Sequence, residues 1–395
     1  MNGKCIVIGV TGGVAVYKAL DIVSRLKKLE YDVHVIMTES ATKFVTPLSF
    51  QSLSQNLVIS DMFQEPRAWE IQHISLAKKA DLILVAPATA NIIGKVANGI
   101  ADDMLSTTIM ATTAPVVFSP AMNTQMYANP IVQNNINRLK DYGYKFIEPS
   151  EGRLACGDLG KGKLADTDLI AMEVHSLLYD PKDLIGKKVL VTAGPTEAPI
   201  DPVRCITNHS SGKMGYSIAE EARDRGAFVT LITGPSSINA PWGIDVINVR
   251  TNEEMLDSTL DLYDEMDIVI KSAAVSDFKV KNYSNEKIKK KEEGLTLELV
   301  KDRDILKILG ERKRQHILVG FAAESNNLLK YAKDKLKNKN LDYIVANDIT
   351  QKDGGFNSED NKVTILSSQG ETLELNKMNK RAVAKNLFDF IMKER

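Results

Sequence analysis

Short apolar segments of strand length alternate with helical segments along the first half of the chain. Lys4–Val10, Tyr31–Met37, Asp81–Pro87 and Pro115–Pro120 are nearly continuous apolar runs. Residues 15–29, between the first two runs, have the apolar spacing of a helix. Strands that are apolar throughout and alternate with helices are typical of a parallel sheet covered on both faces. The pattern therefore predicts an α/β fold for this half.

The second half of the chain repeats the alternation. Its first apolar run is followed by a polar loop and by the helical pattern of Gly212–Arg225. The turn-forming residues 179–181 separate the halves, and 395 residues allow two domains that each have a core. We therefore predict two Rossmann-like α/β domains, residues 1–180 and 181–395. The predicted strands of the second are Lys188–Thr192, Phe228–Thr233, Asp245–Val249, Asp267–Ser272, Ile317–Phe321 and Leu341–Ala346.

Four loops follow the strands of the first half. Ligands of parallel sheets bind beyond the carboxyl ends of the strands, so Thr11–Gly13, Thr38–Ser40, Pro87–Asn91 and Pro120–Asn123 are expected to share one crevice. Glycines let the backbone approach a ligand, and the next helix can bind a phosphate at its start. The fingerprint GxGxxG is absent from Gly9–Val14, which favours a mononucleotide over NAD. Similar glycine turns also occur where no ligand binds.

Three residues of the first half could carry chemistry. His73 precedes a predicted helix, where it is either an ordinary capping or surface residue or an active-site group. Asn123 follows a strand, and its amide either binds a carboxylate or caps the next helix. Cys156 lies in the glycine-rich segment Glu151–Asp166, which is predicted to be a flap. Its thiol either acts as an acid over a bound substrate or has no role.

Composition excludes several classes of protein. With 50 basic and 51 acidic residues and a formal charge of −1, the chain lacks the electrostatic signature of a nucleic-acid or anionic-membrane binder. Its start leads directly into a strand, and no apolar run approaches the ~20 residues that span a bilayer, so we expect a cytoplasmic protein. Cys5, Cys156 and Cys205 are scattered and odd in number, which indicates free thiols instead of a disulfide framework or a thiolate metal site.

Five motifs of the first half, in order, resemble the flavin-dependent cysteine decarboxylases. They are TGGVAVYKA from Thr11, HIS-L from His73, APATANIIGKVANGIADDMLS from Ala86, PAMN from Pro120 and ACGDLGKG from Ala155. The resemblance implies a flavodoxin-like domain in which FMN accepts electrons from a cysteinyl thiol, CO2 leaves, and the electrons return to the product. It also implies that His73 is the active-site histidine, that Asn123 orients the carboxylate and that Cys156 donates the last proton. The flavin would lie near Gly12, Gly13, Ser40, Ala88, Thr89, Ala90, Ser106 and Thr107.

Two polar loops of the second half suit phosphate chemistry. Thr207–Lys213 supplies an amide, hydroxyls, a glycine and a lysine before a helix start, although the P-loop pattern GxxxxGK[ST] is absent. Ser272–Phe278 follows a strand and leads to the lysine-rich run Lys287–Lys291. This run is either a solvated surface or a place where a lysine meets a triphosphate whose metal ion Asp277 holds.

The second half resembles phosphopantothenate–cysteine ligase throughout Gly186–Arg395. The matching motifs are VTAGPT from Val191, ITNHSSGKMG from Ile206, SAAVSDF from Ser272, KIKK from Lys287, GFAAE from Gly320 and NDI from Asn347. In that family phosphopantothenate attacks CTP to give an acyl-cytidylate and pyrophosphate, and the amine of cysteine then displaces CMP. The resemblance implies that Lys287 stabilises charge in the first step and that Asn208 acts in the second. Nucleotide or Mg2+ would contact Asp277, Lys287, Arg303, Asp304, Ile305, Leu306, Phe321, Lys335 and Lys339, with Asp277 as the metal ligand.

Together the two resemblances imply consecutive steps of coenzyme A biosynthesis, with 4'-phosphopantothenate, cysteine and CTP as substrates. They also imply a homo-oligomer with trimeric decarboxylase domains and dimerising ligase domains. Arg303 departs from the ligase pattern, which commonly has a proline before Asp-Ile. Two alternatives are a ligase fused to a non-decarboxylating regulatory flavoprotein and a nicotinamide-dependent reductase. The presence of His73, Asn123 and Cys156 argues against the first, and the missing GxGxxG argues against the second.

Overall fold

The computed structural model describes residues 3–63, 71–289, 295–324, 328–348 and 360–393. The chain divides into two compact units, Met1–Asp180 and Pro181–Arg395. Each unit is an α/β structure built on a largely parallel sheet, which confirms the predicted fold class. Among the described residues, none of the helices is both long enough and apolar enough to cross a membrane.

The first unit contains a five-stranded parallel sheet in the order β2-β1-β3-β4-β5. Its strands are β1 (Cys5–Val10), β2 (Asp32–Met37), β3 (Leu82–Ala88), β4 (Val116–Pro120) and β5 (Lys145–Phe146). Its helices are α1 (Val16–Lys28), α2 (Glu39–Thr42), α3 (Pro47–Ser54), α4 (Gln72–Lys79), α5 (Ala90–Ala97), α6 (Met104–Ala111), α7 (Thr124–Ala128), α8 (Pro130–Asp141) and α9 (Thr167–Leu178). The four predicted strands are confirmed, whereas β5 is too short for the apolar pattern to show it.

β1 and β3 are buried at every position, because helices cover both faces of this sheet. Ile6 and Ile8 face a core that includes apolar residues of α1 and α9. Cys5 and Val7 face a second core on the opposite side, with residues of α5, α6 and α8. The strand order is that of flavodoxin-like folds, so the loops after β1 and β3 diverge and leave a crevice between them.

The segment Glu151–Asp166, predicted as a flap, forms most of a β-hairpin whose register shifts between Ser150 and Glu151. Strands β6 (Ser150–Arg153) and β7 (Leu159–Lys163) pair in antiparallel fashion. The hairpin is fastened to the loop after β4, because the Met122 N–H donates a hydrogen bond to the Gly162 carbonyl at 2.9 Å. Gly162 has φ +147°, and a Cβ there would lie 2.4 Å from the Met122 oxygen. Only glycine permits this approach.

The second unit contains an eight-stranded sheet in the order β12-β11-β8-β13-β16-β17-β18-β19 and two separate two-stranded sheets, β9 with β10 and β14 with β15. The strands are β8 (Lys188–Ala193), β9 (Glu197–Pro199), β10 (Cys205–Thr207), β11 (Phe228–Thr233), β12 (Asp245–Asn248), β13 (Ile268–Lys271), β14 (Phe278–Val280), β15 (Leu299–Lys301), β16 (Ile317–Glu324), β17 (Tyr343–Asp348), β18 (Asp360–Ser367) and β19 (Thr372–Asn379). The helices are α10 (Lys213–Asp224), α11 (Asn252–Tyr263), α12 (Ile305–Arg312), α13 (Leu328–Asn338) and α14 (Lys380–Lys393).

The expected parallel sheet comprises β12, β11, β8, β13, β16 and β17, and the sequence analysis did not predict the two further strands, β18 and β19. β18 pairs with both of its neighbours in antiparallel fashion. Only residues 368–371 separate β18 from β19, and so short a turn can join only antiparallel strands.

A buried arginine joins distant parts of the second unit. Arg225 is fully buried, and its guanidinium donates to Glu221 Oε1 at 2.8 Å, to Asp183 Oδ2 at 3.0 Å, to the Lys385 carbonyl at 3.1 Å and to Asp389. Asp183 lies near the start of the unit, Glu221 belongs to α10, and Lys385 and Asp389 belong to α14. Partners on all sides compensate for the cost of burying the charge. The cluster therefore fixes α14 beside α10.

We expect Gly162→Ala to loosen the hairpin, because the new methyl group collides with the Met122 carbonyl and φ is unfavourable for alanine. The local cost is about 1–3 kcal/mol. Hydrogen exchange measured by mass spectrometry then becomes faster over residues 150–163 and at the Met122 amide.

Gly157→Ala is the matched control, since Gly157 also has a positive φ, +94°, but nothing lies within 4 Å of the added Cβ. Equal exchange in the two variants would show that the close approach to Met122 does not hold the hairpin.

Candidate functional site

A cavity of about 700 Å³ lies in the first unit where the loops after β1, β3 and β4 meet. Three of the four predicted loops line it, through Gly12 and Gly13, through Thr89 and Ala90, and through Asn123. The loop Thr38–Ser40 does not. Ser40 packs behind the glycine turn instead, because a Cβ at Gly12 would lie 2.3 Å from the Ser40 Cβ.

A buried threonine holds two of these loops together. The Thr11 hydroxyl donates to the Pro87 carbonyl at 2.6 Å and accepts from the Thr89 N–H at 3.1 Å. Only 2% of Thr11 is exposed, so water competes little for these hydrogen bonds. The sequence analysis did not assign it a role, although a hydroxyl directly after a buried strand was the available signal.

Four predicted flavin contacts do not line the cavity, namely Ser40, Ala88, Ser106 and Thr107. Ala88 is fully buried within β3. Ser106 closes a capping box at the start of α6, where its N–H donates to Asp103 Oδ1 at 2.8 Å and its hydroxyl accepts from the Asp103 N–H at 3.1 Å. The Thr107 hydroxyl donates to the Ala101 carbonyl at 3.3 Å. The hydroxyls of residues 106 and 107 thus serve their own helix start.

Asn123 caps the next helix, which is one of the two roles that the sequence left open, while its binding of a substrate carboxylate stays a prediction. Its Oδ1 accepts from the Gln125 N–H at 2.9 Å and so caps α7. Its Nδ2 faces the hairpin and donates to Asp158 Oδ2 at 2.7 Å and to Cys156 Sγ at 3.5 Å. The Cys156 thiol donates to the same Asp158 oxygen at 3.4 Å. Asp158 had not been assigned a role, although it lies within the flap motif.

His73 is not brought to this cavity. It is the second residue of α4, so the prediction that it precedes the helix is wrong. The helix starts at Gln72, directly after Ile71, whose backbone is extended. The catalytic role of His73 stays a prediction.

The lining of the cavity suits a flavin mononucleotide. Pro87, Met122, Leu154 and Leu164 supply apolar walls that fit a ring system. α1 begins just after the glycine turn, and the start of a helix attracts phosphate. Lys18, Arg153 and Lys163 add positive charge to the lining. The residues present therefore fit a ring with a phosphate group.

A separate cluster of possible metal ligands lies at the other end of β1. Atoms of Cys5, Asp32 and His34 come within 4.8 Å of one another. The Lys79 ammonium lies 2.8 Å from both Asp32 Oδ2 and His34 Nε2 and so supplies the positive charge there. Burial also raises the pKa of the Cys5 thiol to about 12, which disfavours the thiolate that binds metals. All three cysteines of the chain are free, as expected.

A second cavity, of about 300 Å³, lies in the second unit near the carboxyl ends of β8 and β13, where its strand order reverses. Asn208 lies in its wall, and Nδ2 donates to the Ala274 carbonyl at 3.2 Å and the Val275 carbonyl at 2.8 Å. α10 begins beside it and approaches β8 closely, since a Cβ at Gly215 would lie 2.5 Å from the Ala193 Cβ. The other predicted residues that line it are Asp277, Asp304, Leu306, Phe321, Lys335 and Lys339.

Among the described residues, the lining of the second cavity has an excess of positive charge that fits a polyanion. The charged residues of that described lining are Lys213, Lys271, Lys335, Lys339, Lys380, Asp277 and Asp304. Lys271, at the end of β13, was not among the predicted residues, although a lysine that ends an apolar run was a usable signal. Its ammonium donates to the Ala273 carbonyl at 2.8 Å, and burial lowers its pKa to about 8. Lys271 is partly buried at the end of β13.

Asn361 also lines this cavity and was not predicted. It is 6% exposed, and its Nδ2 contacts the Met214 sulfur at 3.8 Å. Oδ1 is buried and, among the described residues, has no hydrogen-bond partner. A buried polar atom without a partner is costly, so Oδ1 suits a ligand group that can donate.

Three predicted nucleotide contacts do not line the second cavity, namely Lys287, Arg303 and Ile305. Lys287 is exposed. The side chain of Arg303 forms an ion pair with Glu253 at 3.2 Å. Ile305 is fully buried in the core. Their contacts with nucleotide stay predictions, and Lys290 and Lys291 of the lysine-rich run lie outside the described residues.

Comparison with known protein families supports both halves of the sequence interpretation. The Flavoprotein family matches residues 1–178, and the DNA/pantothenate metabolism flavoprotein C-terminal domain family matches residues 184–394. The chain is 51% identical over 387 residues to the coenzyme A biosynthesis bifunctional protein CoaBC of Bacillus subtilis, with 97% of this chain and 95% of the relative covered. It is 47% identical over 393 residues to the CoaBC of Borreliella burgdorferi, with 99% of each covered.

A crystal structure of the C-terminal domain of a CoaBC protein is 41% identical, covers 53% of this chain and 96% of its own, and has a TM-score of 0.47. The two alternatives, a regulatory flavoprotein fused to a ligase and a nicotinamide-dependent reductase, are not favoured, because the relatives match along nearly their whole length. With the fold, the two cavities and these matches in agreement, the chain belongs to the family of coenzyme A biosynthesis bifunctional proteins.

Proposed function

We propose that this chain catalyses two consecutive steps of coenzyme A biosynthesis. The unit of residues 181–395 condenses 4'-phosphopantothenate with cysteine at the expense of CTP, and the unit of residues 1–180 decarboxylates phosphopantothenoylcysteine to 4'-phosphopantetheine. The observation that carries this proposal is the convergence of Asn123 and Cys156 on one cavity that also has a glycine turn, in a chain whose relatives are bifunctional.

The decarboxylase chemistry is divided between FMN and the protein. A carboxylate loses CO2 only where electrons can be accepted, and FMN supplies that capacity when bound. The Gly12–Gly13 turn and the start of α1 would hold its phosphate, while Thr89, Ala90 and the apolar walls, which line the cavity, would contact its ring. The Asn123 amide orients the substrate carboxylate, and the Cys156 thiol provides a proton. His73 does not line this cavity, and an active-site role for it rests on the resemblance to the decarboxylase family alone.

The ligase chemistry depends on the charges of the second cavity. The lysines of the lining would neutralise a triphosphate, and the Asp277 carboxylate would help to hold the Mg2+ that supplies further positive charge. Activation as an acyl-cytidylate is needed because a free carboxylate has no leaving group. The Asn208 amide, held by the carbonyls of Ala274 and Val275, acts on that intermediate. Lys287 stabilises charge in the first step.

The chain acts as a homo-oligomer, with trimeric decarboxylase domains and dimerising ligase domains. Supporting this, Val14 and Tyr17 line the first cavity but are 60% and 59% exposed. Large apolar side chains that line a cavity and remain exposed are typical of a surface that another molecule covers. The expected cytoplasmic location and the preference for CTP over ATP stay predictions.

The proposal as a whole is tested by incubating the purified protein with phosphopantothenate, cysteine, Mg2+ and either CTP or ATP, and by following the products by mass spectrometry. We expect phosphopantetheine, CO2, CMP and pyrophosphate with CTP. Accumulation of phosphopantothenoylcysteine would leave only the ligase assignment. If no condensation occurs at all, the ligase assignment is refuted.

Cys156→Ser tests the proton donor. We expect oxidation and CO2 release to continue and phosphopantetheine to form at least about 100-fold more slowly, because a hydroxyl is a much weaker acid than a thiol. Mass spectrometry then detects the unreduced product. Cys205→Ser, which changes an exposed free thiol of the second unit, is the control. Full production of phosphopantetheine by Cys156→Ser would contradict the assignment.

Lys287→Gln tests a residue whose side chain does not line the ligase cavity. If Lys287 stabilises the first transition state, pyrophosphate release slows by about 100-fold. Lys281→Gln is the control, since its ammonium is exposed and pairs with Glu298 at 2.7 Å. An unchanged rate of pyrophosphate release in Lys287→Gln would show that Lys287 belongs to a solvated surface.

A further inference from the structure

We infer that the carboxylate of Asp158 occupies the position beside Asn123 that the carboxylate of the substrate takes, so that the substrate must displace it. Asp158 is then a positioning residue that holds the amide and the thiol ready and competes only with ligands that carry a carboxylate. This inference rests on the proposed decarboxylase function, in which Asn123 binds the carboxylate of phosphopantothenoylcysteine.

The helix cap determines which end of the Asn123 amide faces the hairpin. Oδ1 is engaged by the Gln125 N–H at 2.9 Å, so the donor end, Nδ2, must point away from α7. Nδ2 donates to Asp158 Oδ2 at 2.7 Å, a distance typical of a hydrogen bond to an ionised carboxylate. A ligand carboxylate that uses this amide therefore has to use the same donor atom.

The Cys156 thiol shares the acceptor with Asn123. Its sulfur donates to Asp158 Oδ2 at 3.4 Å and lies 3.5 Å from Asn123 Nδ2. One carboxylate oxygen thus accepts hydrogen bonds from both groups. In the proposed reaction the Asn123 amide binds the substrate carboxylate, and the Cys156 thiol supplies the proton. Asp158 bears the same functional group as the end of the substrate, which makes it a chemical stand-in for that group.

The arrangement permits exchange between the two carboxylates. Cys156 and Asp158 are exposed, so water can replace their hydrogen bonds at small cost. The hairpin stays attached elsewhere, at Met122 and Gly162, so a rotation of the Asp158 side chain vacates the position. Two carboxylates at one donor repel each other, and both cannot remain. The decarboxylated product lacks the competing group, so Asp158 can return while the product is still bound.

Two non-reactive ligands that differ only in the carboxylate test this inference. They are the serine and the ethanolamine amides of 4'-phosphopantothenate, neither of which has a thiol. Binding to the full-length chain loaded with FMN is measured by calorimetry for the wild type, Asp158→Ala and Asp158→Asn. Glu151→Gln is the control, because it removes another exposed carboxylate from the same hairpin.

We expect Asp158→Ala to bind the serine amide about three- to tenfold more tightly than the wild type, which is the scale of one exposed charge-assisted hydrogen bond. Asp158→Asn, which retains a neutral acceptor, shows a smaller gain. Affinity for the ethanolamine amide stays the same in both variants, and Glu151→Gln resembles the wild type with both ligands. With phosphopantothenoylcysteine, KM falls in Asp158→Ala.

Unchanged or weaker binding of the serine amide in both Asp158 variants would overturn the inference. An equal shift for the serine and ethanolamine amides would do so as well, because it would show that Asp158 acts on the shape of the hairpin and not on the carboxylate position. A wild-type chain that fails to decarboxylate phosphopantothenoylcysteine would instead refute the proposed function. The two failures are therefore distinguishable.

Discussion

Both cavities depend on one constraint, the reversal of strand order near the middle of a parallel sheet. Loops that leave neighbouring parallel strands toward opposite faces cannot fill the space between them. In the first unit this happens between β1 and β3, and in the second between β8 and β13. In the first unit β1 and β3 are buried at every position, so the polar groups of its cavity come from the loops and helix starts at the strand ends.

Short polar contacts then convert the crevice of the first unit into a defined site. Thr11 joins the turn after β1 to the loop after β3, and Gly162 brings the hairpin against Met122. Asn123 is held by its own helix cap, so its donor end must face the hairpin. Each contact uses a group that would be costly to leave unpaired, and together they place an amide, a thiol and a carboxylate within hydrogen-bonding distance.

The second cavity is organised by charge more than by such contacts. Lysines from the start of α10, from β13, from α13 and the turn after it, and from the start of α14 line the cavity beside two aspartates, which gives an environment suited to a polyanion and its metal ion. Lys271 shows what this environment costs. Its ammonium is partly buried without a carboxylate within ion-pair distance in the described chain, and desolvation lowers its pKa to about 8. An anionic ligand would relieve that cost.

The sequence by itself determined the two α/β halves, most of their strands and the loops that carry chemistry, because apolar periodicity and glycine turns are local properties. It also indicated Asn123, Cys156, Asn208 and Asp277 through ordered motifs. Only the tertiary structure decided that β18 and β19 run antiparallel, that Ser106 serves a helix cap, and that Lys287, Arg303 and Ile305 lie off the cavity. Only the structure showed that Asp158 bonds Asn123 and Cys156 and that Lys271 lines the second cavity. Which side chains meet depends on packing between segments far apart in the chain, and no local pattern encodes that.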